Sequence, residues 1–438
     1  MDSRIKRTAV AMAVATALAL PGAAMAQTAK EAELEARIAE LEKLVSEMKS
    51  DTATVPVVVE QEAPTVRTAN KGSLTIKGFV ATTLFTQDAN FTFGNGQNAQ
   101  FPSTEFDKDE YTWGGDVRNT RLTLDWKGPA VGSMNFAGML EADFFGGFNG
   151  TGAFSDEQLT PRLRLAYVDM NFGKSTIRMG QFWSPLFGNV PASPTHVAFP
   201  LGYGSAGTVG WRFPGVAYYH TFGGDGFTTK LSLAVMRGSW SGPDSNLNNN
   251  GAGEAGTPQF EGRLDFGGKS WNIYVVGHWD EKDLSGPGSS SPPGQKDSLT
   301  GEAFAVGAKF ALGPVTLQGN AYSGSAIGQQ FGHITQFGDI SGWGGWLQAS
   351  LKLGSSWSLN AFYGLDDPKD KDVIMSGNTR VKNEQMALSA IYTKGPYLFG
   401  VEWMNDDLTY CSGASTEFSC VKDSKEGNQL SFSAWYKF

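Results

Sequence analysis

The sequence predicts an all-β protein, a 16-stranded antiparallel transmembrane β-barrel with a short N-terminal periplasmic coiled-coil helix. From residue 73 to the end, apolar and polar side chains alternate with a period of two, as in strands. The connections between these segments are sorted by length. The chain also combines 12% aromatic residues and 55 glycines with only 18% charged residues, whereas soluble domains usually carry about 25%.

The N-terminal residues are predicted to direct export. Arg4, Lys6 and Arg7 precede an apolar run, and AMA at 24–26 supplies a cleavage site. Residues 1–26 therefore fit a signal peptide. The apolar run is too short to span a bilayer, and no other segment approaches the roughly 18 apolar residues of a transmembrane helix.

Residues 27–50 are predicted to form the coiled-coil helix, because their apolar side chains follow a heptad spacing. These side chains are Leu34, Ile38, Leu41, Val45 and Met48. Their chemistry alone favours a dimer, and a solvated helix packed on its own barrel is the alternative. Residues 51–72 contain two prolines among threonines and valines and are predicted to be an extended linker.

Residues 73–438 are predicted to form the outer-membrane β-barrel. Sixteen segments reach roughly the nine residues that a tilted strand needs to cross a bilayer. The first five cover 73–85, 120–128, 133–145, 162–170 and 175–183, and the others begin near residues 208, 227, 258, 270, 301, 314, 341, 355, 380, 396 and 428. The last segment ends on an aromatic residue, Phe438, which resembles the end of known outer-membrane barrels.

Seven short turns alternate with eight long polar loops, as expected of an even-stranded barrel with both ends in the periplasm. The third long loop, residues 184–207, differs from the others because it is apolar and carries prolines. We therefore expect this loop to fold into the lumen and narrow it.

Side-chain parity predicts a set of arginines that face the lumen. If Leu163, Leu165 and Tyr167 face lipid, then Arg162 and Arg164 face the lumen. Trp211 and Phe213, taken to face outward, place Arg212 inside in the same way. A charge facing lipid at the membrane midplane would cost about 2–4 kcal/mol. The full inward set is Arg121, Arg162, Arg164, Arg178, Arg212 and Arg263, with Glu141 and Asp143 as opposing lumen acids.

Two interpretations of these arginines remain open from the sequence. Some are expected to pair with carboxylates and stiffen the wall, because buried charges need partners. Unpaired ones would attract anions, as basic rings do in anion pores. Parity also places Asp169 outward, which requires either a position near the rim or a preceding β-bulge.

Other sequence features limit the function classes. The net charge of −9 argues against a nucleic-acid partner, since phosphates demand a basic face. Cys411 and Cys420 are predicted to form a disulfide after export, and no cofactor or metal site is expected. A non-conducting structural or adhesive barrel stays an alternative. An outer-membrane hydrolase is a further one, and it would need a Ser/His pair at the rim.

Four segments resemble the DcaP-like porins. They are EADFFGG at 141–147, RLRLAYVDM at 162–170, MGQFWSPLFGN at 179–189 and GWRFPGVAYYHTF at 210–222. The resemblance covers the coiled coil, the first half of the barrel and the terminal strand. It implies a trimeric outer-membrane channel that takes up small dicarboxylates. It also implies that inward arginines hold the solute: Arg121, Arg162, Arg164, Arg178 and Arg212. Val216 and Ala217 stand where the family tends to offer another basic residue.

Together these features predict a porin for the passive diffusion of small anionic solutes, and not an enzyme. Its expected partners are two further copies of the chain, outer-membrane lipid and lipopolysaccharide.

Overall fold

The computed structural model of the protein is nearly all β. It describes residues 65–68, 72–105, 111–146, 159–224, 226–238, 257–283, 298–413 and 419–438. The predicted signal peptide, the predicted coiled-coil helix and most of the predicted linker lie outside these residues. No helix among the described residues has the length and apolar character needed to span a membrane.

Antiparallel strands form a closed barrel. The strands are β1 Thr65–Arg67, β2 Ser73–Gln87, β3 Thr112–Asp116, β4 Arg121–Lys127, β5 Asn135–Asp143, β6 Arg162–Phe172, β7 Ser175–Trp183, β8 Arg212–Gly223, β9 Thr228–Met236, β10 Gln259–Gly268, β11 Trp271–Asp283, β12 Ser298–Leu312, β13 Val315–Ser325, β14 Ser341–Leu353, β15 Trp357–Pro368, β16 Arg380–Lys394, β17 Tyr397–Cys411 and β18 Lys422–Lys437. One α-helix, α1, covers Asp370–Met375, and short 3-10 helices cover Gly96–Asn98, Gly328–Gln330 and His333–Thr335.

These eighteen segments make sixteen barrel strands. β3 and β4 both pair with β2, one with its C-terminal part and the other with its N-terminal part, so together they form one interrupted strand. β1 pairs with residues 73–75 of β2, whereas β18 pairs with residues 79–87 of the same strand. β1 therefore lies next to the end of β18 in the sheet and continues its position by three residues. The pairing of β18 with β2 closes the barrel. The predicted number of strands is therefore confirmed.

The two faces of the barrel differ in polarity, as a lipid-facing sheet requires. On β2, Val80 and Leu84 are 54% and 46% exposed, whereas Thr83 between them is fully buried. Its hydroxyl lies 2.7 Å from the hydroxyl of Ser433 on β18, which is buried as well. Apolar side chains thus point outward and polar side chains meet inside.

A β-bulge in β6 corrects the parity prediction. Glu141 pairs with Leu165 and its neighbour Ala142 pairs with Leu163, so Arg164 is the extra residue of β6. A bulge of this kind turns two successive side chains to the same side. Leu165 is consequently only 8% exposed, and the prediction that it faces lipid is wrong.

The residues after the bulge have reversed parity. Tyr167 lies inside the barrel, where the guanidinium of Arg178 is 3.6 Å from its ring centroid. Asp169 also faces inward, while Val168 is 41% exposed. The predicted outward position of Tyr167 is therefore wrong, and the bulge explains why Asp169 violated the simple alternation.

Parity also failed at the start of β8. Phe213 is fully buried against Phe182 of β7. Trp211 precedes the strand, and its ring stacks on Tyr203 and Phe331 inside the barrel. Neither aromatic residue faces lipid. Arg212 is buried inside the barrel by its own contacts with the rings of Trp183 and Trp211.

Candidate functional site

The third loop, residues 184–207, lies along the inner wall of the barrel. Its first half contacts β10 and β14: the Leu186 amide donates to Glu261 (2.6 Å), and Ala192 exchanges two hydrogen bonds with the Gln348 side chain (2.7 and 2.8 Å). Each of these bonds satisfies a backbone group of the loop, and a loop inside a barrel needs such partners.

The second half of the third loop is attached to β16 and β17. Ser193 Oγ donates to Glu402 Oε1 (2.8 Å), and His196 Nδ1 lies 2.8 Å from the same oxygen. The Gly202 amide donates to Gln385 Oε1 (2.6 Å). The loop therefore occupies the lumen, as its composition suggested.

Two other loops also fold inward, and the sequence did not reveal them. The sixth loop, residues 326–340, accepts a hydrogen bond from Gly210 N at Gln330 O (2.7 Å) and stacks Phe331 on Tyr203 at 4.5 Å. In the first loop, residues 88–103, Gln97 donates to Thr83 on β2 (2.9 Å). Their buried glutamines resemble ordinary polar loop residues in sequence, so composition gave no signal.

Four arginines and two acids form a charged patch, here called the arginine wall: Arg121, Arg162, Arg164, Arg212, Glu141 and Asp143. Asp143 accepts from Arg162 Nη2 (2.7 Å) and Arg164 Nη1 (2.8 Å), and Glu141 accepts from Arg164 Nε (2.7 Å). The acids were expected to oppose the arginines. They lie instead on β5, beside β6, and pair with its arginines directly.

Arg178 and Arg263 are each occupied by a carboxylate. Arg178 makes two hydrogen bonds of 2.8 Å to Asp169 on β6. Arg263 binds Asp265 through Nε and Nη2, and its Nη1 donates to the carbonyls of Pro185 and Phe187 in the third loop. Arg263 thus anchors the third loop, while Arg178 stiffens the wall.

Arg121 and Arg212 differ from the other four predicted arginines. Among the described residues, Arg121 Nε and Nη2 and Arg212 Nε and Nη1 are buried without a hydrogen-bond partner. The nearest carboxylate oxygen shown for Arg121 is Glu141 Oε1, 3.9 Å from Nε. The Arg212 guanidinium lies 4.4 Å from the ring centroid of Trp211 and 5.0 Å from that of Trp183. These nitrogens are the donors of the predicted arginines that no protein acceptor occupies among the described residues.

Arg118 and Lys230 are further cations that were not predicted from the sequence. Arg118 makes a buried ion pair with Asp116 (2.7 Å) and lies 4.6 Å from the Phe145 ring centroid. Lys230 on β9 lies 4.7 Å from the Tyr219 ring centroid. Parity would have found Lys230, because Leu233 and Val235 on the same strand are exposed to lipid; Arg118 lies between β3 and β4, where parity does not apply.

The structure also describes the two cysteines and a Ser/His contact that bears on the hydrolase alternative. Cys411, the last residue of β17, forms a disulfide with Cys420, which precedes β18. Ser175 Oγ lies 2.7 Å from His220 Nδ1 near a short turn, but among the described residues no carboxylate is shown hydrogen-bonded to that imidazole. The part of the chain that the structure describes also contains no group of three or more His, Cys, Asp or Glu side chains suited to a metal ion.

A sixteen-stranded barrel with a lipid-facing apolar surface and a charged lumen defines an outer-membrane channel. The chain belongs to the Gram-negative porin family, whose sequence model matches residues 9–438. This membership places the protein in the outer membrane and indicates a channel rather than an enzyme. No curated protein matches the chain.

Several solved structures share the fold. The outer membrane channel DcaP of Acinetobacter baumannii has a TM-score of 0.65 and 18% identity, over 85% of this chain and 99% of that chain. An anion-selective porin from Comamonas acidovorans has a TM-score of 0.55 and 15% identity, over 84% of this chain and 100% of that chain. OmpF of Salmonella typhi, in complex with daunomycin, has a TM-score of 0.53 and 12% identity, over 86% of this chain and 100% of that chain. The resemblance to DcaP-like porins is thus confirmed for the fold.

Proposed function

We propose that this porin conducts small anionic solutes by passive diffusion and that Arg121 and Arg212 are its main anion-binding groups. The observation that carries the proposal is the set of buried guanidinium nitrogens without a hydrogen-bond partner among the described residues. An unpaired buried donor is unfavourable until a ligand satisfies it. An anion that reaches either side chain removes this penalty.

The charge of the arginine wall supports the same proposal. The arginine wall as defined contains four arginines and two acids, Glu141 and Asp143, which pair with Arg162 and Arg164. The wall therefore carries two more positive than negative charges, and a surface of this kind lowers the entry barrier for anions. Arg162 and Arg164 raise the local potential although their own donors are engaged by the acids.

Small dicarboxylates are the proposed solutes, on the basis of the resemblance to DcaP-like porins. A solute with two carboxylates can engage two guanidinium groups at once, and each contact can be bidentate. The aromatic rings around Arg212 restrict its rotamers, so less entropy is lost when the solute binds.

The test is the reversal potential of purified protein in a planar bilayer under a salt gradient. Wild type is expected to prefer anions, and an added dicarboxylate is expected to reduce the current. Arg121→Gln and Arg212→Gln are each expected to weaken this block severalfold, because one charge-assisted contact is lost.

Lys174→Gln is the matched control. It removes the same charge from an exposed turn, where Lys174 donates to the carbonyl of Gly223, and block is expected to stay at the wild-type value. A preference for cations in wild type, or equal block in all four proteins, would reject the anion proposal. Absence of conductance would favour the structural barrel.

We also propose that three copies of the chain assemble in the outer membrane, in contact with lipid and lipopolysaccharide, and that residues 27–50 form a coiled coil in the periplasm. The heptad residues between Leu34 and Met48 and the resemblance support this proposal. Mass measurement of detergent-solubilised full-length protein tests it, and a monomeric mass would contradict it.

A further inference from the structure

A network of four buried charged or ionisable side chains connects β10 and β11. Glu261, His278, Asp280 and Lys282 are each at most 5% exposed. His278 Nδ1 lies 2.9 Å from Glu261 Oε1, and its Nε2 lies 3.4 Å from Asp280 Oδ1, an ion-pair distance rather than a well-aligned hydrogen bond. Lys282 Nζ contacts the other oxygen of Asp280.

Both ends of this network hold an inward loop. Glu261 Oε2 accepts the amide of Leu186, near the start of the third loop, at 2.6 Å. Lys282 donates to the carbonyl of Ala326, the first residue of the sixth loop, at 3.2 Å. Leu186 and Ile327 then pack in one apolar cluster with Tyr274 of β11. The network therefore fixes the roots of two loops that fill the lumen.

The charge state of the network depends on His278. Two carboxylates and one ammonium leave a net charge of −1 when the imidazole is neutral. An imidazolium carries a proton on both ring nitrogens, so it donates from Nδ1 to Glu261 and places positive charge against Asp280 at the 3.4 Å contact. It also brings the buried network to neutrality. An uncompensated buried charge is strongly unfavourable, so the charged imidazolium stabilises the arrangement of Glu261 that receives the Leu186 amide.

We propose that His278 is a positioning residue for the third loop: its imidazolium orients Glu261 to hold Leu186, and loss of that proton at alkaline pH loosens the root of the loop. Among the described residues, the titratable groups that contact the imidazole are Glu261 on β10 and Asp280 on its own strand, with Lys282 behind Asp280. The other neighbouring strand, β12, places Ala303 opposite His278, and the two loops contribute the Leu186 amide and the Ala326 carbonyl.

The experiment is hydrogen–deuterium exchange of full-length protein in detergent between pH 6 and 10. Peptides that cover residues 184–190 are followed, and rates are divided by the intrinsic rate at each pH. Wild type is expected to lose protection at Leu186 roughly tenfold as the pH rises, because a hydrogen bond to a well-positioned charged acceptor is replaced by a weaker one. His278→Gln is expected to have the low protection already at pH 7, with no further step.

His196→Gln is the control. His196 lies in the same loop, and its imidazole contacts the carboxylate of Glu402 on β17, away from the network, so the step at Leu186 is expected to persist. Constant protection in wild type from pH 6 to 10 would overturn the proposal, and this measurement needs no variant. A step that survives in His278→Gln would overturn it as well. Because exchange does not depend on ion preference, these outcomes are independent of the anion proposal.

Discussion

His333 in the sixth loop is held in a conformation that few side chains adopt. Its φ is +53°, and Phe331, Ile334 and Thr335 also have positive φ values. Such left-handed backbone is uncommon for residues other than glycine and persists where surrounding contacts enforce it. Here the amide of Ile334 donates to Asp366 Oδ2 at 2.9 Å, which holds the segment against β15.

The imidazole of His333 is fully buried, and this predicts a pH dependence of stability. Burial lowers the pKa of His333 from 6.5 to about 4, opposed only partly by the backbone of Gly324 and the carboxylate of Asp372. The folded state therefore resists protonation that the unfolded state accepts. The contribution is fully present above pH 6.5 and is lost as the pH falls toward 4, by about 3 kcal/mol in total.

His333→Asn tests this prediction, because asparagine tolerates the left-handed region and does not titrate. Urea unfolding of wild type and variant between pH 7 and 4 is the measurement. The unfolding free energy of wild type is expected to decrease relative to that of the variant as the pH falls. A difference that stays constant over this range would show that His333 is not protonated on unfolding.

The residues of the arginine wall show what side-chain chemistry in a sequence can reveal. The inward orientation of Arg121, Arg162 and Arg164 followed from the cost of a charge in lipid, which is a local property. Their pairing did not, because Asp143 and Arg162 are joined only when β5 and β6 take a particular register. Which guanidinium groups stay unpaired therefore depends on contacts between strands.

At the level of elements, the strands were predictable because lipid imposes an alternation that water does not. The bulge in β6 was not, since RLRL alternates as well as any regular strand. The extra residue becomes visible only in the register with the partner strand, where Glu141 pairs with Leu165 and Ala142 with Leu163. The inward third loop was predictable from its apolar composition, whereas its anchors on Glu402 and Gln385 lie about two hundred residues away.

The reversed parity of β6 can be tested with single cysteines. In a protein that lacks the disulfide, Tyr167→Cys is expected to react with a charged, membrane-impermeant maleimide through the lumen. Val168→Cys is expected to be largely protected by lipid, because Val168 is 41% exposed on the outer surface. Mass spectrometry of vesicle-reconstituted protein gives the labelled fractions, and the opposite preference would mean that β6 contains no bulge.

For the whole molecule, the arginine wall and a group of three buried carboxyl groups lie on different strands of the barrel. The arginine wall lies on β4 to β8, whereas the buried acids Asp366, Glu402 and Asp406 lie on β15 and β17, where amides and hydroxyls hold them. Glu141 and Asp143, which were predicted to oppose the arginines, pair with Arg162 and Arg164 beside them instead.

The long-range field of the lumen and direct contact with a buried arginine should respond differently to salt, which gives a prediction for the whole channel. The screening length is about 10 Å at 0.1 M salt and about 3 Å at 1 M, and buried groups are screened much less than exposed ones. The general preference for anions is expected to fall severalfold over this range, because it arises from the summed field of the lumen. Block by a dicarboxylate is expected to weaken less, since it depends on contact with the buried Arg212. Reversal potential and block, measured at both salt concentrations with a constant gradient ratio, separate the two effects. An equal loss of both would mean that the solute is attracted by the field alone and touches neither unpaired arginine.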